Sequence, residues 1–138
     1  MPDVSDESLA QSWHDLMGRY ARLTCRLDRE LEAAHGLSSS EFEVLQQLHG
    51  PAGPGKLRMT ELGERAHLSQ SALSRLVGRL ERDGLVRRAA CEADRRAVWI
   101  HITDAGRARY QEAQPTQRAI LRTETWCAAV PPPEEPAG

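Results

Sequence analysis

The sequence predicts a mainly α-helical fold with a small β hairpin, and three observations carry that prediction. Apolar residues recur every three or four positions from 9 to 34, the period of one helical face. Residues 59–102, MTELGERAHLSQSALSRLVGRLERDGLVRRAACEADRRAVWIHI, read as short helix, tight turn, second helix and two strands. TDAG then opens a last helix. A chain of 138 residues supports one domain with one core, and six aromatic residues make that core mostly aliphatic.

Ser5 is the expected N-cap of the first helix, with Val4 and Leu9 placed as a hydrophobic staple. The stripe of this helix is Leu9, Trp13, Leu16, Tyr20, Leu23, Leu27, Leu31 and Ala34, while Arg19, Arg22, Arg26 and Arg29 take another face. So long a stripe exceeds what one short partner helix covers, which predicts a subunit interface along part of it. Packing wholly within its own chain is the competing reading. Gly36 ends the helix in the left-handed conformation. Ser38 and Glu41 form a capping box flanked by Leu37 and Phe42, and the second helix carries Phe42, Val44, Leu45 and Leu48. It stops at Gly50-Pro51, where PAGPGK makes a loop, and residues 57–59 add a strand edge to the later hairpin.

Thr60 is read as the cap of a third helix with Leu62 and Ala66 inward. Leu68 marks the turn, Ser69 caps the fourth helix with a Leu68–Leu73 staple, and Gly84 ends it. In that fourth helix Leu73, Leu76, Val77 and Leu80 share one face. Ser71, Arg75, Gly78 and Arg82 project from the other, with Ser74 and Arg79 beside them. Residues 86–90 and 97–102 form the hairpin, Val98, Ile100 and Ile102 inward and Ala97, Trp99 and His101 outward. Thr103 caps the last helix, which carries Tyr110, Ala113, Ile120 and Leu121 and should kink or restart at Pro115. The whole is a winged helix-turn-helix between an N-terminal and a C-terminal helix. Its expected divisions are an N-terminal helix at 1–36, a DNA-binding domain at 37–102, a C-terminal helix at 103–127 and a flexible Pro-rich tail at 128–138.

Charge supports that reading. The net charge is −2, yet residues 58–109 hold 11 Arg and no Lys against 7 acidic residues, a net of +4 that leaves −6 on the remainder. Such a separation suits one surface to a polyanion. Cys25, Cys91 and Cys127 are odd in number, far apart and without a C-x-x-C pair, which reads as reduced thiols in a cytoplasmic protein. Cys25, about 160° from the apolar stripe at 100° per residue, is read as an ordinary buried or half-buried cysteine. The acidic start lacks the charged leader of a secretory signal, and no apolar run approaches the ~20 residues that cross a bilayer, so no membrane is expected. Five histidines without H-x-x-x-H or a cysteine partner predict no metal, and no cofactor is expected. Neither a Ser-His-Asp spacing nor a phosphate-binding glycine loop nor paired carboxylates are legible, so an enzyme is not expected.

The chemistry of the basic unit follows from what base edges require. Arg bonds bidentately to guanine, Gln to adenine, and Ser to either. In helix-turn-helix proteins the start of the second helix faces the bases, which nominates Gln70, Ser71, Ser74 and Arg75. Ser69 suits a phosphate at the helix N-terminus, and Arg79 and Arg82 suit phosphates further along. At the wing tip, a guanidinium from Arg95 or Arg96 fits a minor groove, while Asp94 pins an arginine or caps the turn.

LSQSALSRLVGRLERDGLVRR followed by EADRRAVWIHITDAG resembles the MarR family of bacterial transcription regulators, as does LSSSEFEVL, over roughly residues 9–110. The wing D-x-R, here Asp94-Arg95-Arg96, and the TDAG helix start carry most of the likeness. The resemblance implies a homodimer whose first and last helices, at 1–36 and 103–127, are N- and C-terminal dimerisation helices that form the platform. Its recognition helices would enter successive major grooves of double-stranded DNA at a pseudo-palindromic operator. It also implies repression relieved by a small-molecule effector or by cysteine oxidation. Carried over by position, residues 69–75 contact bases and phosphates, Arg96 is the wing arginine and Asp94 its organiser. The sequence departs from the family after residue 121, where RTETWCAAVPPPEEPAG leaves no room for a further amphipathic helix. Trp13, Met17 and Tyr20 serve equally as an effector pocket or as core. Two further readings stay open: a regulator switched through Cys25 or a pocket near Tyr20, and a winged-helix protein-interaction module with no operator of its own. The arginine-bearing wing favours DNA over the latter.

Overall fold

The structure, a computed structural model, describes residues 5–49, 53–90, 93 and 96–123. Five helices and three strands follow in the order α1 (Asp6–His35), α2 (Ser39–His49), β1 (Lys56–Arg58), α3 (Met59–Arg65), α4 (Gln70–Arg82), β2 (Val86–Ala90), β3 (Val98–Ile102) and α5 (Asp104–Thr123). The strands form one antiparallel sheet in the order β1-β3-β2, with Leu57 and Arg88 on either side of Ile100.

Local chemistry sets the boundaries. Ser5 caps α1 by accepting from the Ser8 N–H at 3.2 Å, and Gly36 ends it at φ 68°. The capping box of α2 closes in both directions: the Glu41 N–H donates to Ser38 Oγ at 3.0 Å and the Ser38 N–H to Glu41 Oε1 at 3.2 Å. Thr103 links two elements, its hydroxyl accepting from the Gly106 N–H at 3.0 Å and donating to the Gly84 carbonyl at 2.7 Å. The core is aliphatic around one aromatic pair, with Leu31, Leu37, Val44, Leu45 and Leu48 fully buried and Phe42 stacked on Tyr110 at 5.3 Å between ring centroids.

Four expectations need correction. Thr60 does not cap α3. The helix starts one residue earlier, directly out of β1, with Arg58 at the cap position and no side-chain bond there. Pro115 does not interrupt α5, which runs on to Thr123. Pro115 and Gln111 are both exposed, so water meets the carbonyl that loses its donor while Ala113, Gln117 and Ile120 hold the buried face. Cys25 is exposed rather than buried, because α1 packs on α5 and α2 through Leu27 and Leu31 and turns Cys25 away. Ala34, the last member of the stripe, is exposed as well. Val4, Cys91, Cys127 and the Pro-rich tail lie outside the described residues.

The stripe of α1 divides in two. Leu27 and Leu31 are buried and Leu23 packs partly against them. Leu9, Trp13, Leu16, Met17 and Tyr20 are 51–71% exposed. The first half of this helix finds little cover among the described residues.

Candidate nucleic-acid interface

Helix α4 carries the split that its sequence demands. Ser69 Oγ accepts from the Ala72 N–H at 3.2 Å and starts the helix. Leu73, Val77 and Leu80 are at 0% exposure, whereas Ser71, Ser74, Arg75, Arg79 and Arg82 stand in solvent. Among the described residues, Arg75 and Arg82 make no ion pair or hydrogen bond through their side chains. Two guanidiniums held out on one face without counter-charge create a local positive potential that a polyanion would neutralise.

The neighbours of that face are ordered. Gln70 turns its amide back onto α3, donating to the Met59 carbonyl at 3.4 Å and lying over Gly63. Ser71 Oγ sits 3.3 Å from Ser69 Oγ. Arg79 stands 3.8 Å from Glu41, whose carboxylate is only 3% exposed. The N-terminus of α2 is thereby tied to the middle of α4 through the same carboxylate that closes the capping box. Arg96, in the turn that leads into β3, is exposed and shares an open hollow with Gln70 and Thr60. The turn end of β3 and the start of α4 therefore border one side of the molecule. Asp94 and Arg95 lie outside the described residues.

Away from this side, Trp13, Met17 and Tyr20 lie on open surface in the single chain. The hollow on that helix is lined instead by His14, Asp15, Gly18, Arg19 and Arg22. Among the described residues, no group of three or more His, Cys, Asp and Glu side chains could hold a metal ion, and no helix is long and apolar enough to cross a membrane.

Sequence reasoning missed Arg88. Its guanidinium reaches from β2 to the Ser74 carbonyl at 3.2 Å and to Glu81 at 3.7 Å, and its backbone N–H donates to Glu81 at 3.2 Å. The signal was present in the alternation, since Arg88 falls on the inward phase between Val86 and Ala90. A charged residue in that phase needs a partner on the element beneath it.

Comparison with known proteins agrees with this geometry. Residues 35–97 match the MarR family. The regulator PecS of Dickeya dadantii is 31% identical over 76% of this chain and 62% of its own length. The chain is similar to the MarR family of transcriptional regulators in sequence and in fold. Its match to the transcriptional repressor YetL of Bacillus subtilis is 34% identical over 60% of the chain and 49% of that protein, so the chain spans about half the length of most curated relatives it matches. Among solved structures, the MarR family regulator Sco3205 of Streptomyces coelicolor, in complex with DNA, aligns with a TM-score of 0.79 and 28% identity over 96% of this chain and 81% of that one. The mainly helical winged architecture is that of these MarR structures.

Proposed function

We propose that this chain is a MarR family member, a sequence-specific DNA-binding transcription regulator that occupies a pseudo-palindromic operator as a homodimer and represses. One observation carries the reading: the serine and arginine face of α4 is open to solvent while Leu73, Val77 and Leu80 are sealed beneath it. On this reading Ser71, Ser74 and Arg75 read bases, Ser69, Arg79 and Arg82 hold phosphates, and Arg96 enters the flanking minor groove. Gln70, tied to Met59, contributes by fixing the turn between α3 and α4.

The dimer follows from α1. A contiguous patch of Leu9, Trp13, Leu16, Met17 and Tyr20 is the kind of apolar surface that marks an interface, which supports a partner subunit over an effector pocket as what these residues face. Residues 37–102 then act as the DNA-binding lobe, with α1 and α5 as the platform. Repression is the mode named for the relative YetL, and a dimer seated across a promoter would block polymerase. Selection of bound duplexes from a random pool tests the reading. It should enrich a pseudo-palindrome with half-sites about 10 bp apart, one helical turn. A pool that stays random after repeated rounds would overturn it.

A further inference from the structure

The outer face of the wing sheet carries a second basic surface. The strand register puts Lys56, His101 and Arg87 in one row across β1, β3 and β2, and Arg58, Trp99 and Ala89 in the next. Both rows point away from Leu57 and Ile100, which are buried. Lys56 Nζ lies 5.2 Å and Arg58 Cζ 5.3 Å from the centroid of the Trp99 ring. Both charged heads thus lie at cation–π distance over the indole, while Lys56 and Arg58 stay exposed to solvent on their other side. Arg87 Nη2 stands 3.5 Å from His101 Nδ1.

Three fixed positive charges on one small sheet repel one another. Among the described residues, no carboxylate pairs with Lys56, Arg58 or Arg87. The contacts with Trp99 offset part of that repulsion and no carboxylate offsets the rest, so an anionic partner would relieve it. We propose that this face binds the phosphates of duplex DNA that continues past the wing, drawing the flank toward the sheet. The proposal rests on the DNA-binding reading above and extends it to a surface that neither α4 nor the wing tip includes.

The geometry favours this occupant over others. At ~3.3 Å per strand residue, Trp99 and His101 stand ~10 and ~17 Å behind Arg96 along β3. They are too far back for the groove the wing enters but stand beside the duplex leading out of it, provided that duplex bends. Lys56 and Arg87 flank the central strand, ~10 Å apart at ~4.8 Å per strand, far enough to meet separate phosphates of the duplex backbone. Single-stranded nucleic acid would need an open aromatic face for stacking, and Trp99 is covered. An acidic protein would need an exposed apolar anchor, and this face offers none.

The test uses duplexes enriched by selection, prepared once with about 10 bp of arbitrary sequence beyond each wing contact and once trimmed at it. The double variant Lys56→Gln, Arg87→Gln should bind the long duplex about fivefold more weakly. It should lower the slope of log affinity against log salt by about 2 per subunit. Binding to the trimmed duplex should not change, and the bend angle from circular permutation should fall. Lys56→Arg should keep the long-duplex advantage, which separates charge from folding. Equal affinities of wild type and double variant on the long duplex would overturn the proposal and leave the face to an acidic protein. Equal losses on both duplexes would also overturn it, because the contact would then lie within the operator. A wild-type protein that enriches no duplex would overturn the DNA-binding reading, and this one with it.

Discussion

Arg88 clamps the wing to the helix beside it: its Nη2 donates to the Ser74 carbonyl at 3.2 Å while its Nε faces Glu81 at 3.7 Å. Ser74 lies on the open face of α4, so the clamp fixes the angle between α4 and the hairpin, which on the proposed reading enter neighbouring grooves. Simultaneous engagement of two grooves depends on that angle, because a loose joint lowers the effective concentration of the second contact. Arg88→Ala should weaken operator binding about five- to tenfold. Its effect on stability should stay within about 1 kcal/mol, since the ion pair is partly solvated. Arg88→Lys should not restore binding, because one ammonium cannot span carbonyl and carboxylate as the guanidinium fork does. Full rescue by lysine in a gel shift would show that only charge matters at this position.

Gly106 stands where a side chain would not fit. A Cβ added there would collide with the Leu85 carbonyl oxygen, and Ile102 Cγ1 lies 2.8 Å away. The start of α5 thus touches the end of the α4–β2 connection backbone to backbone. Gly106→Ala should cost about 1–3 kcal/mol through overpacking, measured by urea unfolding. A loss below about 0.5 kcal/mol, within the range of ordinary surface changes, would mean the two elements separate easily.

His67, in the turn between α3 and α4, has φ 57°. The left-handed conformation costs a non-glycine residue roughly 1–2 kcal/mol, more than the ~0.5–1 kcal/mol of extra chain entropy glycine loses. His67→Gly should therefore stabilise the fold by about 0.5–1 kcal/mol and leave operator affinity unchanged. Destabilisation on calorimetry would show that the imidazole contributes more than the turn's backbone asks.

His101 gives the fold a pH dependence of definite sign. Burial first, then the charges of Arg87 and Lys56, hold its pKa below the ordinary 6.5. The unfolded chain then binds the proton more readily than the folded one, so stability rises with pH across the window between the two values. It is fully present above about 6.5 and is lost as the pH falls through that value toward the folded pKa. Unfolding midpoints measured from pH 7.5 down to 5 should decline more for the wild type than for His101→Gln. Parallel declines would remove His101 as the cause.

Much of this was legible beforehand, for physical reasons that differ by element. The Ser38–Glu41 box, the Ser69 cap and the glycines at 36 and 84 declare themselves because capping chemistry is local in sequence. The sealed and open faces of α4 were readable because its leucines and arginines obey the helical period. Thr60 misled because a strand feeds α3 directly, so the helix starts before its apparent cap. Pro115 misled because its cost depends on which face it occupies, a tertiary fact. The alternation of β2 gave the phase of Arg88 but not its partners, and the Glu41–Arg79 pair and the cations around Trp99 depend on strand register and helix crossings, which no spacing in the chain encodes.

The division of labour along α4 is the centre of this account. Arg75, near its start, should read a base, whereas Arg82, at its last residue, should hold only phosphate. The most direct measurement is gel-shift titration of Arg75→Ala and Arg82→Ala against selected and scrambled duplexes at several salt concentrations. Arg75→Ala should lose about 1–3 kcal/mol of discrimination between the two duplexes. Arg82→Ala should weaken both alike and lower the salt slope by about 1. Equal discrimination in the wild type and Arg75→Ala would contradict the account.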